Sequence, residues 1–366
     1  MNNRICFFSQ MYQAIPSLVA VQRELGGQFV CGRSSTTRYF KNEYPELGFA
    51  RFRKRFKRFS EGYQAMSKAD CIVTGSSYQS LLAPHSAKKM MVFHGTYAGL
   101  SPQALEDLRH FDHLFLIGER MERMLLRYQN GHEFNYTKTG FIPFSNFPDK
   151  NEKNKRLLLS TLGLDTSLKT VVYCPSRRGV GTWELCASQL IRDLSDEYNL
   201  IMRPHPSQSM NLRWHEKSSM KGLQLAAKNR GNTVVDLVDF SLPDVLMIAD
   251  LLISDANSPS EEALYYDTPQ LFTGLGNSSY ETIQQALVGR DLLQEDVEDV
   301  LRIFNCGPVY ALEDSAHWGE AVDNAFLSQD DYSDNRKASF NSIFGQRDQH
   351  AGLRVAEIIR NSFLCD

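Results

Sequence analysis

No apolar run in this 366-residue sequence is as long as the ~18–20 residues with which a helix crosses a bilayer. The opening residues Met1–Arg4 do not lead into a signal peptide. An Asp-x-Asp pair and a compact His and Cys cluster are also missing, so the sequence calls for no metal and no cofactor. We therefore expect a cytoplasmic protein that is either free or peripheral on a membrane surface.

Paired cysteines and a strong charge of one sign are lacking too. The seven cysteines are scattered and never spaced as CxxC, so reduced thiols are expected. A net charge of −3 gives no reason to expect nucleic acid as a partner. With 42% hydrophobic and 23% charged residues, the chain has the composition of a globular protein, and its length suggests two domains.

Short apolar runs alternate with amphipathic segments, which predicts an α/β fold with parallel sheets. The polar stretch 145–155 contains a proline and no periodicity, and it reads as a linker. We therefore predict domains at 1–148 and 149–343, with residues 344–366 forming a helix that packs back toward the first domain. The predicted strands are Arg4–Phe8, Gln28–Cys31, Asp70–Thr74, Lys89–Phe93, Leu114–Ile117, Lys169–Cys174, Leu200–Met202, Thr233–Val235, Leu251–Ser254 and Gln270–Phe272.

The stretch from Leu251 to Phe272 organises the second half. A buried strand ends in Asp255 and Asn257, and Ser258 then suits the N-cap of a helix that has Glu262 in its first turn. A polar loop leading into a helix N-terminus at a strand end favours anion binding. The alternative is an ordinary βαβ unit whose loop binds nothing.

Three more polar groups follow predicted strands. His94-Gly95-Thr96 comes after one strand of the first half, where the histidine suits a general base or a phosphate ligand. Ser176 and Arg178 follow a strand of the second half, in a loop rich in phosphate-binding groups.

Arg203-Pro204-His205-Pro206 follows another strand of the second half, and its two prolines fix the backbone beside a cationic pair. The alternatives are a structural role for His94, and a surface turn in which Arg203 and His205 pair with carboxylates.

Residues 49–59 form the most basic segment of the chain. Their phenylalanines recur at i, i+3, i+7 and i+10, which would place them on one face of a helix with six Arg or Lys around it. This pattern is typical of a helix lying in an anionic membrane interface. A phenylalanine stripe packed on the domain core is the other interpretation.

Four segments in a fixed order resemble a known family, the CDP-glycerol glycerophosphotransferases, which include teichoic-acid primases and polymerases. That family shows His-Gly-Thr-Pro, Tyr-Ala-Pro-Thr-Trp-Arg and Lys/Arg-Pro-His-Pro segments, and a fourth running from Thr-Asp-Tyr-Ser-Ser to Asp-Arg-Pro. The matching segments here are His94–Thr96, Tyr173–Arg178, Arg203–Pro206 and Ser254–Pro269.

The resemblance implies a GT-B fold, with two Rossmann-like domains facing each other across a nucleotide cleft. It implies an acceptor-side first domain, with His94 as the base beside Gly95 and Thr96, and a second domain that binds the nucleotide donor. On the donor side the resemblance implies a set of binding residues, and it implies a catalytic role for one of them, His205. These residues are Ser176, Arg178, Arg203, His205, Asp255, Asn257, Ser258 and Glu262.

The activity that the resemblance implies is transfer of glycerol or ribitol phosphate from a CDP-linked donor. The acceptor would be a hydroxyl of a lipid-linked or glycan molecule, in teichoic acid or capsule synthesis. Tyr97, Arg177 and the pair Asn257-Ser258 depart from the family pattern. Because Glu261-Glu262-Ala263 also resembles a helix of UDP-sugar 2-epimerases, transfer from another nucleotide sugar and an epimerase activity are alternatives. A third alternative is a nucleotide-binding scaffold without turnover that recruits partners to membranes through residues 49–59.

Overall fold

The computed structural model describes residues 4–96, 100–209, 212–236, 240–310 and 317–363, apart from the side chains of Phe56, Lys57 and His215. The chain forms two compact units. The first comprises Met1–Asn146 and Ser342–Asp366, and the second comprises Phe147–Asn341. Each unit has a parallel sheet of its own.

Thirteen strands are formed by the described residues. Seven belong to the first unit: β1 Ile5–Ser9, β2 Gln28–Cys31, β3 Phe49–Arg51, β4 Cys71–Thr74, β5 Lys88–Val92, β6 His113–Leu116 and β7 Tyr136–Lys138. Six belong to the second: β8 Lys169–Cys174, β9 Tyr198–Met202, β10 Thr233–Val235, β11 Leu251–Ser254, β12 Gln270–Thr273 and β13 Val309–Tyr310.

Helices connect these strands. Along the chain they are α1 Ile15–Leu25, α2 Ser34–Glu43, α3 Glu61–Ser67, α4 Gln79–Leu82, α5 Pro102–Glu106, α6 Glu119–Tyr128, α7 Glu152–Leu162, α8 Trp183–Asp193, α9 Pro206–Ser209, α10 Trp214–Arg230, α11 Leu242–Ile248, α12 Ser258–Ala263, α13 Tyr280–Val288, α14 Gln294–Leu301, α15 Trp318–Leu327, α16 Ser333–Phe344 and α17 Ala351–Phe363.

Both sheets are doubly wound. The strand order is β3-β2-β1-β4-β5-β6-β7 in the first and β10-β9-β8-β11-β12-β13 in the second, and every pair is parallel. The order reverses between β1 and β4 in one sheet and between β8 and β11 in the other. At such a reversal the two outgoing connections leave on opposite sides, so a crevice opens at the carboxyl ends of the strands.

Continuous apolar strands explain this architecture. Residues of β1, β4, β8 and β11 are buried on both faces, as expected for a parallel sheet covered by helices on each side. In the first unit α17 packs against α1, and its buried side chains Val355 and Ile359 join the same core cluster as β1 and β4. In the second unit Trp183, Leu190 and Trp318 cover β8 and β11.

The segment 49–59 is not the helix that its phenylalanine spacing suggested, and that prediction is wrong. Phe49 lies in β3 and packs edge-on against Phe40, while Phe52 is 2% exposed and packs against Phe8. A 3₁₀ helix, Lys54–Phe59, follows, and its last residue, Phe59, projects into solvent at 85% exposure. Pairing of β3 with β2 therefore overrides the helical pattern.

Two segment boundaries differ from the sequence prediction. The stretch 145–155 is not a free linker, because it contains the start of α7, and Lys155 Nζ lies 2.7 Å from Asp250 in the second unit. Residues 344–366 do not form one helix, since Phe344 ends α16 and α17 begins at Ala351. Cys365 lies outside the described residues.

In the part of the chain that the structure describes, no helix is both long enough and apolar enough to cross a membrane. The six cysteines found there are buried and unpaired.

Candidate active site

A buried carboxylate, Asp255, ties together the loops at the reversal point of the second sheet. It directly follows β11 and is 2% exposed. Its Oδ2 accepts hydrogen bonds from the backbone N–H groups of Ser176 (2.6 Å) and Thr182 (3.0 Å). Its Oδ1 accepts from the hydroxyls of Thr182 (2.5 Å) and Thr273. The sequence analysis placed Asp255 among the donor-site residues, and these four hydrogen bonds show that its carboxylate holds the loops in position.

The loop after β8, residues 176–182, is fixed from other sides as well. A Cβ on Gly181 would come within 2.8 Å of Asp255 Oδ2 and would also collide with the Ser176 carbonyl, so only glycine fits there. Asn277 Nδ2 donates to the Gly179 carbonyl and Ser278 Oγ to the Val180 carbonyl, each at 2.9 Å. This loop is therefore held rigidly at the strand ends.

The two arginines of this loop have different environments. Arg178 donates to the Glu216 carboxylate at 2.7 Å, and its side chain is largely buried, so much of its charge is neutralised within the protein. Arg177 is exposed and forms no side-chain hydrogen bond or ion pair with any residue that the structure describes. Its charge nevertheless reaches His205, whose pKa it lowers. The sequence analysis selected Arg178 as the phosphate contact, and in the structure Arg177 is the more exposed of the two and the one without an ion pair.

His205 is locked in one tautomer. The backbone N–H of Ser207 donates to Nδ1 at 3.1 Å, and the Ser207 hydroxyl lies 2.9 Å from the same nitrogen. The proton of the neutral ring is therefore on Nε2. Burial and the Arg177 charge lower the pKa of His205, which favours the neutral ring. Within the described residues Nε2 has no partner, so it can donate to a ligand oxygen.

Arg203 directly follows β9 and lies in a buried ionic network. Its Nη1 donates to Asp236 and, at 2.8 Å, to the Phe240 carbonyl. The alternative interpretation of this segment was a surface turn in which Arg203 pairs with a carboxylate. Such an ion pair is present, with Asp236, but it is buried. Arg203 also acts on Glu262, because its charge opposes the shift by which burial and Glu261 raise the pKa of Glu262 to about 8. Near neutral pH this carboxyl group therefore holds a proton and can act as a hydrogen-bond donor.

The turn into α12 begins one residue earlier than the sequence suggested. Asn257, not Ser258, is the N-cap, and its Nδ2 donates to the Cys174 carbonyl at the end of β8 (2.9 Å). Ser258 is the exposed first residue of this six-residue helix. Ala256 has a φ of 50°, a left-handed conformation that is strained for a side chain and that often marks functional turns.

His94 stands at the reversal point of the first sheet, just after β5. Its Nδ1–H donates to the Gly75 carbonyl at 2.8 Å, which leaves the basic lone pair of the neutral ring on Nε2. Burial lowers the pKa of His94, and the Gly75 hydrogen bond opposes this shift. A Cβ on Gly75 would lie 2.6 Å from Ala14 Cβ and 3.3 Å from His94 Nδ1, so glycine permits this contact.

The residues after His94 are only partly described. Gly95 is half-buried and Thr96 is buried. Tyr97, which departs from the family pattern, lies outside the described residues. Over the described ranges there is no group of three or more His, Cys, Asp or Glu side chains that could hold a metal ion.

Several solved structures share this fold. The wall teichoic acid polymerase TagF matches with a TM-score of 0.68 at 17% identity, covering 100% of this chain and 89% of that one. A glycosyltransferase from Rickettsia africae ESF-5 matches with a TM-score of 0.54 at 12% identity, covering 100% of both chains. The protein HepE from Anabaena matches with a TM-score of 0.52 at 12% identity, covering 98% and 100%. The predicted α/β fold of GT-B type is thereby confirmed.

The match to a family model gives the class, a transferase, on this GT-B fold. The family model for CDP-glycerol:poly(glycerophosphate) glycerophosphotransferase matches residues 53–360, and the chain belongs to this family. The teichoic acid glycerol-phosphate primase of Bacillus subtilis (strain 168) is 27% identical over 124 residues, which are 33% of this chain and 29% of that protein. This match therefore spans less than a third of the curated relative.

Proposed function

We propose that this protein transfers a polyol phosphate, glycerol or ribitol phosphate, from a CDP-linked donor to a hydroxyl of a lipid-linked or glycan acceptor. The product would be a teichoic acid or capsule polymer. One observation carries the proposal: in a member of this family, Asp255 fixes the loop of Arg177, an exposed cation whose charge acts on the neutral His205. Such an arrangement suits a diphosphate.

The chemistry is an in-line displacement at phosphorus. The acceptor oxygen attacks the phosphorus that bears the polyol, the new O–P bond forms, and the bond to the CMP oxygen breaks. CMP leaves with the electron pair. Arg177 supplies positive charge, and the neutral His205 donates a hydrogen bond, to the oxygens on which negative charge develops, as electrostatic catalysis requires. Arg203 is paired with Asp236, so it contributes hydrogen bonds from its remaining N–H groups more than net charge.

His94 serves as the general base for the acceptor hydroxyl. A base must be neutral before it accepts a proton, and burial keeps this imidazole neutral by lowering its pKa. The Gly75 carbonyl, which accepts from Nδ1–H, orients the ring and stabilises the imidazolium formed when Nε2 takes the proton. Gly95 and Thr96 line the acceptor side. His205 then acts on the phosphates and not as a second base.

Glu262 suits the ribose of the nucleotide. As a protonated carboxyl group it can both donate to and accept from the ribose hydroxyls, without adding a negative charge next to the diphosphate. Ser176, Asn257 and Ser258 lie on the two loops that Asp255 and the Asn257 amide hold at the strand ends, where they would border the phosphates.

We also propose peripheral membrane association, but through a different element from the helix that the sequence predicted. The 3₁₀ helix Lys54–Phe59 keeps Arg55 and Arg58 exposed next to the projecting Phe59. One aromatic ring with flanking cations can anchor weakly to an anionic surface. Co-sedimentation with phosphatidylglycerol vesicles should fall for Phe59→Ser but not for Leu327→Ser, an equally exposed apolar residue of α15. Equal loss in both variants would count against this anchor.

The epimerase alternative has less support. An epimerase would need carboxylates of the first unit placed against the sugar, and Glu106, Asp107 and Glu119 are the candidates in the sequence. Glu106 pairs with Arg109 and Glu119 with Lys138, each at 2.5 Å. Asp107 is exposed.

Transfer itself is tested with the full chain, radiolabelled CDP-glycerol or CDP-ribitol, and a lipid-linked acceptor. CMP release that requires the acceptor, with label passing to the acceptor, is the expected result. Product without an acceptor would favour an epimerase, and binding without turnover would favour a scaffold.

A further inference from the structure

A second histidine of the first unit, His110, holds the same loop as His94. Its Nε2–H donates to the Ser77 carbonyl at 2.7 Å. Two residues earlier in that loop, the Gly75 carbonyl accepts from His94 Nδ1–H at 2.8 Å. Because a carbonyl oxygen only accepts, each ring carries a proton on the nitrogen that faces the loop. Both histidines belong to the connection between β5 and β6, so one connection holds the loop after β4 at two carbonyls.

The backbone of this loop has a conformation that needs support from outside. Tyr78, the residue after Ser77, has a φ of 41°, in the left-handed region that side chains rarely adopt. Its carbonyl accepts from the Leu81 N–H at 2.8 Å, so the strained residue is also the start of α4. Strained turns persist only where the surrounding structure determines them, and the His110 bond acts on the residue directly before the strained one.

The far end of the loop is anchored to the segment of β1. The Tyr78 hydroxyl accepts from the Gln10 N–H at 3.0 Å, and the tyrosine ring packs edge-on against Phe8 with the centroids 5.1 Å apart. Because Tyr78 is held at this end, movement of the loop is confined to residues 75–77. The position of the Gly75 carbonyl therefore depends on what holds the Ser77 carbonyl.

His110 itself is not placed to react with a substrate. Its Nε2 is occupied by the Ser77 carbonyl, and its other ring nitrogen, Nδ1, is buried from solvent. The ring lies 4.2 Å from the ring of Phe111, centroid to centroid. Its contacts therefore suit a residue that acts through the loop and not on the reacting atoms.

We propose, on the basis of the proposed role of His94 as the base, that His110 is a positioning residue for that base. By holding the Ser77 carbonyl it places the Gly75 carbonyl, which in turn orients the His94 ring. Without the His110 bond, residues 75–77 relax and the His94 ring turns away from its position for proton transfer. The donor-binding loops belong to the second unit and do not depend on this bond.

The test compares two substitutions of His110 in the full chain. His110→Phe keeps a planar ring but removes the N–H, whereas His110→Gln keeps an amide N–H that can donate to the same carbonyl. His113→Phe is the matched control. His113 is another half-buried histidine of this unit, but its Nε2 lies 3.0 Å from Thr137 Oγ1 in β7 and does not contact the loop.

We expect His110→Phe to lower the single-turnover transfer rate about 10-fold or more, because catalysis is sensitive to small displacements of the reacting groups. We expect Kd for CDP-glycerol to stay unchanged, His110→Gln to keep most of the rate, and His113→Phe to behave as wild type. The second readout is the NMR resonance of the His94 Nδ1 proton, assigned by its loss in His94→Gln. It should shift upfield in His110→Phe alone, because the hydrogen bond to Gly75 weakens.

Other results would contradict this role. A wild-type rate in folded His110→Phe, or a lower rate with an unmoved His94 resonance, would mean that His110 does not position the base. If His110→Phe does not fold, His110→Asn replaces it with the same expected results, because its shorter side chain leaves the Ser77 carbonyl without a donor. If His94→Gln transfers at the wild-type rate, the proposed role of His94 as base fails. The His94 resonance in His110→Phe then still decides whether His110 sets the position of the loop.

Discussion

The two sheets have the same strand order up to the sixth strand, but their reversal points are tied together by different chemistry. In the second sheet a carboxylate, Asp255, accepts hydrogen bonds from the loop after β8 and from Thr273, the last residue of β12. In the first sheet histidine rings donate to carbonyls of the loop after β4, His94 to Gly75 and His110 to Ser77.

This difference matches the division of labour in the proposed reaction. The buried Asp255 carboxylate accepts hydrogen bonds from backbone N–H groups and hydroxyls. Because it does not form an ion pair with Arg177, that cation stays available to phosphate. When the Nδ1–H of a neutral histidine donates a hydrogen bond to a carbonyl, the other ring nitrogen, Nε2, carries the lone pair that can accept a proton. In the proposed reaction, the second unit provides the positive field and the first unit provides the base.

Removing the carboxylate should produce the largest loss of stability. Asp255→Ala leaves two backbone N–H groups and two hydroxyls without their acceptor, so we expect the free energy of unfolding to fall by about 3 kcal/mol or more. Chemical denaturation measures this change. Asp334→Ala, at an almost fully exposed aspartate, serves as the control and should change little. If Asp255→Ala unfolds with the same free energy as the wild type, Asp255 does not hold these loops together.

Substitution of the two neighbouring arginines compares a charge that is available to the donor, Arg177, with a charge that stabilises the fold, Arg178. We expect Arg177→Gln to weaken CDP-glycerol binding about 10-fold, because its guanidinium is unpaired and available to phosphate. We expect Arg178→Gln to weaken it less and to lower stability instead, because it breaks the ion pair with Glu216. Calorimetric titration and thermal unfolding of both variants check this. The reverse ranking of affinities would mean that the family position, Arg178, holds the donor.

The histidine tie can be loosened without changing a histidine. Gly75→Ala places a methyl group 2.6 Å from Ala14 Cβ, so the loop must move and shift the carbonyl that orients His94. We expect turnover to fall about 10-fold and stability by about 1–3 kcal/mol. Gly48→Ala, where no atom lies within 4 Å of the added carbon, is the matched control. Unaltered turnover in Gly75→Ala would show that this contact does not position the base.

A smaller effect should appear at Glu262 and depend on pH. Its pKa is about 8 in the fold against about 4.5 unfolded, so the folded state binds the extra proton between these values. Wild-type stability from this group therefore declines as pH rises from 4.5 through 8. We expect Glu262→Gln to raise Tm relative to wild type at pH 8.5 and to change it little at pH 4.5. The same increment at both pH values would contradict a protonated carboxyl.

Much of the fold was predictable because its strands are short continuous apolar runs. Gln28–Cys31, Lys169–Cys174, Thr233–Val235 and Leu251–Ser254 have the same bounds in the sequence prediction and in the structure. Helix α2 was missed because its polar composition gives no apolar stripe. Strand β3 was missed because three residues carry no period, and the phenylalanine spacing of 49–59 fits a short strand and a 3₁₀ turn as well as a helix.

The site was predictable in its segments but not in its pairings. Sequence motifs located the strand ends where His94, Arg203 and His205 lie. They did not reveal that Glu216 pairs with Arg178 and not with Arg177, because that contact spans 38 residues of sequence.

The most direct test of the division of labour compares two histidine variants in one experiment. Kd for CDP-glycerol and the single-turnover transfer rate are measured for His94→Gln and His205→Gln. For His94→Gln we predict an unchanged Kd and a rate lower by about 10²–10⁴, the usual contribution of a general base. For His205→Gln we predict that Kd rises and the rate falls together, since phosphate is contacted in both the ground and transition states. Near-full turnover in His94→Gln, or loss of donor affinity in that variant alone, would contradict this account.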